Sequence, residues 1–371
     1  MTIALPGSRL ECLLIADDLT GACDSAVHFA ARGRSTAACL GLDADPAGLD
    51  VLAISTDTRD APPEEFRRMA GEAARRFSGC EIRVVFKKID STLRGRAGEE
   101  IQMAAEAFGC QAAVVTPAFP VMGRIVQGGY LRVTAAADFE PIHLPSYFRG
   151  QGVECAHVPP GAVREALAAG ARYVSADAAS DADLDAIAGE VLASGLKVLW
   201  AGSGGLASAL ARAGSPVFSE RSGPLPRAGA VLFCIGSNHA VTLEQQRRLL
   251  AERAASMFNA GTAAPKAVRE ALARGEHVVL RIPRGTVSAE RIRDLVGGAG
   301  ALLLSGGDTA SAVCRALGVR RIELRGEIIP GIPRGVLAGG LLDGAPVATK
   351  SGAFGAPGAW IEVADYFKCP N

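Results

Sequence analysis

Two carboxylates stand side by side in the string Asp17-Asp18-Leu19-Thr20-Gly21. Adjacent like charges disfavour one another, so the pair calls for a cation, a hydrogen-bonding ligand or a basic side chain. The simpler reading of Asp18 is a helix N-cap, a position aspartate favours. A second loop, Lys87-Lys88-Ile89-Asp90-Ser91-Thr92-Leu93-Arg94-Gly95, gathers cations, a carboxylate and hydroxyls into nine consecutive residues. Arg94 suits bidentate binding of a carboxylate. Asp90 suits accepting a proton or binding sugar hydroxyls. The alternative is a solvated turn with internal ion pairs. Ser55-Thr56-Asp57-Thr58-Arg59 repeats the mixture of acid, hydroxyl and base, and Thr116–Pro120 is followed by Gly123-Arg124. A small polyhydroxylated anion would satisfy these groups together.

The second half carries different chemistry. Gly236-Ser237-Asn238, Ser305-Gly306-Gly307-Asp308-Thr309 and Lys350-Ser351-Gly352-Ala353-Phe354-Gly355 are glycine-rich turns. Glycine lets backbone N–H groups approach phosphate oxygens, and a following helix N-terminus favours negative charge. Each turn alone is compatible with an ordinary tight connection; three of them, with a lysine, serines and an aspartate, point to nucleotide binding. None is a G-x-x-x-x-G-K-[ST] loop, and the first strand lacks G-x-G-x-x-G, which argues against a P-loop enzyme and a nicotinamide-dependent dehydrogenase.

The elements that must position these loops recur as one unit: a short apolar run, a polar or small-residue loop, then a stretch of helical periodicity. Leu10–Ala16 leads through Asp17–Gly21 to a helix with Ala22, Ala26, Phe29 and Gly33 on one face. Val51–Ile54 precedes a charged helix over Glu64–Phe77, Ile82–Lys87 a helix bearing Ile101, Ala104, Ala105 and Phe108, and Val198–Ala201 a helix ending at Ala213. After a Gly/Pro/Ser-rich stretch the unit restarts with Ala230–Ile235, His277–Ile282, Ala301–Leu304 and Val347–Lys350. Repeated strand–loop–helix units predict an α/β fold, two domains with mainly parallel sheets flanked by helices, and ligands at the strand ends in the cleft between domains. The expected division is 1–214, a linker over 215–229, and 230–371. Thr134–Pro160 has weak periodicity and receives no assignment.

The 371 residues suit two domains. Lys+Arg and Asp+Glu are equal at 39, and aromatics make up 5%, which argues against nucleic-acid or membrane-surface partners. The nine cysteines include no C-x-x-C pair and read as reduced residues of a cytoplasmic protein, with no metal site. No secretory leader or spanning segment is apparent.

Taken in order, IADDLTGACDSAVHFA (15–30), KKIDSTLRG (87–95), TPAFP with GR and GGY (116–130), SADAASDADL (175–184), GSGGLASAL (202–210), SGGDTASAV (305–313) and PGIPRG followed by TKSGAFG (330–355) resemble the four-carbon acid-sugar kinases, long a domain family of unknown function. The resemblance spans almost the whole chain and lies nearer the threonate-kinase branch than the 3-oxo-tetronate branch. It implies an N-terminal sugar-acid domain, a C-terminal ATP domain, and transfer of the γ-phosphoryl of ATP to the 4-hydroxyl of a tetronate of the D-threonate or D-erythronate type, with Mg²⁺; the alternatives are a 3-oxo-tetronate 4-kinase and a non-catalytic sugar-acid sensor. By carry-over, Asp17, Asp18, Asp57, Arg59, Lys88, Asp90, Ser91 and Arg94 face the acid, with Asp18 or Asp90 as the base. Ser237, Gly306, Gly307, Asp308, Thr309 and Gly352 contact ATP, Lys350 balances charge beside them, and Asp308 reaches Mg²⁺ through water. A homodimer follows only at the level of the family. Cys23 and Arg96 depart from the residues common in relatives, as does Ala353.

Overall fold

The computed structural model describes residues 7–134, 136, 138–214, 225–226 and 228–368. Most of the expected linker, and Cys369, lie outside the described residues.

Among the described residues, fifteen strands form a single sheet. In the N-terminal half, Arg9–Ala16 lies between Val51–Ser55 and Glu81–Lys88, all parallel. Glu81–Lys88 is followed outward by Val198–Gly202, Ala112–Thr116, Tyr173–Ala176 and Ala156–Val158, again parallel. In the C-terminal half, Val231–Ile235 lies between His277–Arg281 and Ala301–Ser305, and Pro346–Lys350 follows in parallel. The inner strands are buried along their length, as apolar runs covered by helices on both faces must be.

The two halves are joined by a seam that the chain's strand–loop–helix rhythm does not announce. Pro346–Lys350 pairs antiparallel with Pro333–Ala338, which pairs antiparallel with Arg321–Glu327. That strand then pairs antiparallel with Thr36–Leu40, setting Arg321 opposite Cys39 and Leu324 opposite Thr36. Thr36–Leu40 runs parallel to Val51–Ser55 and belongs to the N-terminal half. Two separate sheets are therefore fused into one.

The helix Leu19–Ala30 sits where the halves meet. It packs on Gly204–Ala213 of one half and on Gly307–Leu317 and Arg321–Glu327 of the other. Being enclosed, it buries Thr20, Asp24 and Ser25 as well as its apolar residues. Gly33, expected on its face, lies past its end with φ +84°. The unassigned stretch, Thr134–Pro160, contributes Ile142–His143 to a small antiparallel sheet whose other strands, Arg124–Gln127 and Tyr130–Val133, precede it, and continues into a short helix, Leu144–Arg149. Among the described cysteines, Cys12, Cys23, Cys39, Cys110, Cys234 and Cys314 are buried. No described helix is long and apolar enough to cross a membrane.

Candidate active site

The first loop takes its shape from Asp18. Its backbone is extended and its carboxylate accepts the Gly21 N–H, capping Leu19–Ala30. Thr20 Oγ1 donates to the same Oδ1 at 3.1 Å. The capping reading therefore holds, and it does not exhaust the residue: Asp18 Oδ2 also forms an ion pair with Arg59. Arg59 grips Asp17 through Nε at 2.7 Å and Nη2 at 3.0 Å. One guanidinium thus neutralises two adjacent buried carboxylates, the partner that the sequence required. Burial alone would raise Asp17, but the charge and hydrogen bonds of Arg59, with Lys87 and Lys88, hold it below the usual range. Asp18 moves the other way: burial, reinforced by the charge of Asp17, pushes it up against the pull of Arg59 and Lys88.

The second loop is an internally bonded turn. Asp90 Oδ1 accepts from Thr92 N at 2.9 Å and from Thr92 Oγ1 at 2.5 Å. Its Oδ2 accepts from Arg94 Nε at 3.1 Å and Nη2 at 2.5 Å. Burial opposes ionisation of Asp90, yet Arg94, Lys88 and Thr92 together hold its carboxyl well below the usual carboxylate range. Lys87 points away, buried against Glu100 at 2.7 Å and over the Phe66 ring. Lys88 is buried and donates to the Ile89 carbonyl at 2.7 Å. It makes no ion pair among the described residues.

A cavity of about 1120 Å³ lies between the halves. Asp18, Arg59, Lys88, Asp90, Ser91 and Arg94 line it from the N-terminal half, and His239, Ser351 and Phe354 from the other. Arg124, from the Gly123-Arg124 pair, also lines it, as does Asp24, which the loop motifs alone did not single out. An acid within the mainly apolar run ACDSAVHFA was the available signal for Asp24. Arg124 lies over the Phe354 ring, 5.2 Å from its centroid, and donates to the Met122 carbonyl. Burial lowers its pKa in spite of Asp90 and Asp24. Cys23 and Arg96 are not among the lining residues.

Asp57 does not join this cavity. Held at φ +57°, it turns its carboxylate to Arg315 Nη2 at 3.2 Å and Ser311 Oγ at 3.4 Å, both on the helix Gly307–Leu317. It binds one half to the other and does not face the acid site. Asp60 does likewise through Arg284, which also holds Asp308 at 3.0 Å.

The glycine turns of the C-terminal half converge. A Cβ on Gly352 would come within 2.6 Å of Ser237 Oγ, and one on Gly236 would collide with Thr309 Oγ1. Gly306, at φ +97°, turns the chain into the helix Gly307–Leu317. A Cβ on Gly307 would lie 2.7 Å from Asp18, so the glycine turn of one half rests on the acid loop of the other. Close backbone approach with free first-turn N–H groups is what a phosphate cradle needs, and the turns fit ATP on that ground. Lys350 is placed otherwise than expected. Its amine is wholly buried and donates to the carbonyls of Ser351 at 2.7 Å, Phe354 at 3.0 Å and Gly352 at 3.2 Å. Burial pushes it down to about 7. It shapes the loop from behind and does not reach toward a phosphate.

A family profile described as a sugar-binding N-terminal domain matches residues 12–147 and 151–210, and one described as a nucleotide-binding C-terminal domain matches 284–359. A D-threonate kinase of Bordetella bronchiseptica is 33% identical, covering 95% of this chain and 96% of its own. A D-erythronate kinase of Heliobacterium modesticaldum is 32% identical over 95% and 96%. A solved structure from Salmonella typhimurium superposes with a TM-score of 0.76 over 95% of this chain and 98% of that one; at 23% identity it is a likeness of fold.

Proposed function

The chain belongs to the four-carbon acid-sugar kinase family, and on that footing we propose that it transfers the γ-phosphoryl of ATP to the 4-hydroxyl of a tetronate of the D-threonate or D-erythronate type. The observation that carries this reading is the cavity itself, with cations and acids on one wall and the glycine turn at Gly307 of the other half resting on Asp18. Residues 1–214 serve as the sugar-acid unit and 230–371 as the nucleotide unit. Phosphoryl transfer depends mainly on positioning and on stabilising charge.

Lys88 and Arg124 line the cavity without an ion-pair partner among the described residues, and Lys88, buried on the wall that carries Asp90 and Ser91, anchors the substrate carboxylate. Arg94, already bonded to Asp90, borders the acid's hydroxyl groups, and Ser91 adds a hydroxyl at the same wall. Ser237, Gly306, Gly307, Thr309 and Gly352 cradle the nucleotide phosphates through backbone N–H groups and hydroxyls. Mg²⁺, when bound, screens phosphate charge; Asp308 is the carboxylate on that turn able to reach it, on release from Arg284.

ADP release, measured with ATP and Mg²⁺ across D-threonate, D-erythronate, L-threonate and 3-oxo-tetronate, tests the reading. Turnover is expected with a tetronate. A chain that releases no ADP with any of the four refutes it.

A further inference from the structure

Asp24 takes part in none of the contacts that build the site. It lies within the enclosed helix Leu19–Ala30, is 5% exposed, and lines the cavity. Its Oδ1 is buried with no hydrogen-bond partner among the described residues. Its Oδ2 faces the start of the helix Gly204–Ala213, 3.1 Å from where a Cβ on Gly204 would sit. A buried carboxylate without a partner is costly, and native structures rarely keep one without a use. Asp17, Asp18 and Asp90 all avoid that state by pairing with an arginine.

Those pairings bear on the proton that must leave the substrate hydroxyl. Asp90 gives both oxygens to Thr92 and Arg94. Asp18 gives one to the helix N-terminus and the other to Arg59. Among the buried cavity acids Asp24 alone keeps an oxygen with nothing bonded to it among the described residues; Asp138, which also lines the cavity, is exposed.

Resting on the kinase reading above, we propose that Asp24 is the residue that accepts this proton. As the hydroxyl oxygen forms its bond to the γ-phosphorus, its hydrogen passes to the Asp24 carboxylate. The bond from the γ-phosphorus to the β–γ bridging oxygen breaks, and its electron pair leaves with ADP. The charged groups facing Asp24 come from four places: Lys88 at the end of Glu81–Lys88, Glu327 at the end of Arg321–Glu327, Asp18 at the cap of its own helix, and Arg124 from the small sheet. The helix that begins at Gly204 meets it with glycine backbone. Burial first, and then Glu327 and Asp18, raise its carboxyl to about 7 against the pull of Lys88 and Arg124. A base poised near the working pH is the effective kind.

The full chain carrying Asp24→Asn, with Asp24→Glu beside it, tests this. Steady-state turnover is followed from pH 5.5 to 9 with the best tetronate of the wild type, and affinities for ATP and that acid are measured by calorimetry. Asp24→Asn is expected to lower kcat by about 10²–10⁴-fold, to keep both affinities within about threefold, and to lose the rise of kcat through pH 7. Asp24→Glu should recover part of the turnover together with a rising limb. The asparagine variant should also melt higher than wild type at pH 8, because it removes a buried charge. Wild-type turnover and an unchanged pH limb in Asp24→Asn overturn the proposal, as does loss of both affinities together with early melting, which marks a structural role. An inactive wild type overturns the kinase reading and this proposal with it; an active wild type with a fully active asparagine variant overturns this proposal alone.

Discussion

The acids of this site differ in what holds them, and that difference sets how each responds to pH. Asp90 is depressed by Arg94, Lys88 and Thr92 once the opposing effect of burial is overcome. Its folded pKa lies below its unfolded one, near 4. Its contribution to stability is therefore fully present above about pH 4 and is lost as the pH falls through the lower folded value. Asp90→Asn should reduce the unfolding free energy by about 1–3 kcal/mol, toward the low end because Arg94 is 59% exposed and screened by water. The deficit should be equal at pH 7 and pH 5 and shrink below pH 4, as urea unfolding at three pH values can check. The acid–base character of this loop was legible from its residue types, and so was the need of Asp17 and Asp18 for a cation. Which cation answers which acid was not. Arg59 is 41 residues from Asp18 along the chain, and only the packing of neighbouring strand ends brings them together. Asp57 shows the limit most clearly: its type suits the acid site, but a left-handed backbone sends it to Arg315.

Among the elements, the helix Gly307–Leu317 ties the glycine turn of one half to the acid loop of the other, since its first residue rests on Asp18. Gly307→Ala would place a methyl 2.7 Å from that side chain. Overpacking of this kind typically costs about 1–3 kcal/mol, and it would push the turn away from the acid loop. The variant should fold with a lowered Tm and show a turnover loss larger than its change in ATP affinity, measured by calorimetry beside steady-state kinetics. The helices and inner strands were readable from period and apolar runs. The strand Arg321–Glu327 also carried its signal, an alternation that buries Ile322, Leu324 and Gly326 and leaves the residues between them half-buried. Thr36–Leu40 carried little: a five-residue run of small residues gains its meaning from a partner far along the chain.

In the whole molecule, the continuous sheet makes the halves mechanically dependent. Closing over a ligand by a hinge between independent domains would have to twist the seam, since ladder hydrogen bonds cross it. The wild type should unfold in one calorimetric transition. Ala38→Pro, which removes a backbone donor within the seam strand, should separate this into two or lower its cooperativity, measured as the ratio of van't Hoff to calorimetric enthalpy. The Gly/Pro/Ser-rich stretch after residue 214 was visible in composition. The fusion of the two sheets was not, because pairing across such a distance has no local signature.

The same seam bears on how such a chain can be recombined. A crossover between relatives placed after Gly214 looks natural from the order of the chain, with one profile ending before it and the other beginning after it. It would nevertheless set Thr36–Cys39 from one parent against Arg321–Leu324 from the other. A chimera that exchanges nucleotide units while keeping the host's own Arg321–Leu324 strand respects the architecture better than one cut at the boundary, so the unit of inheritance here is the ladder and not the half.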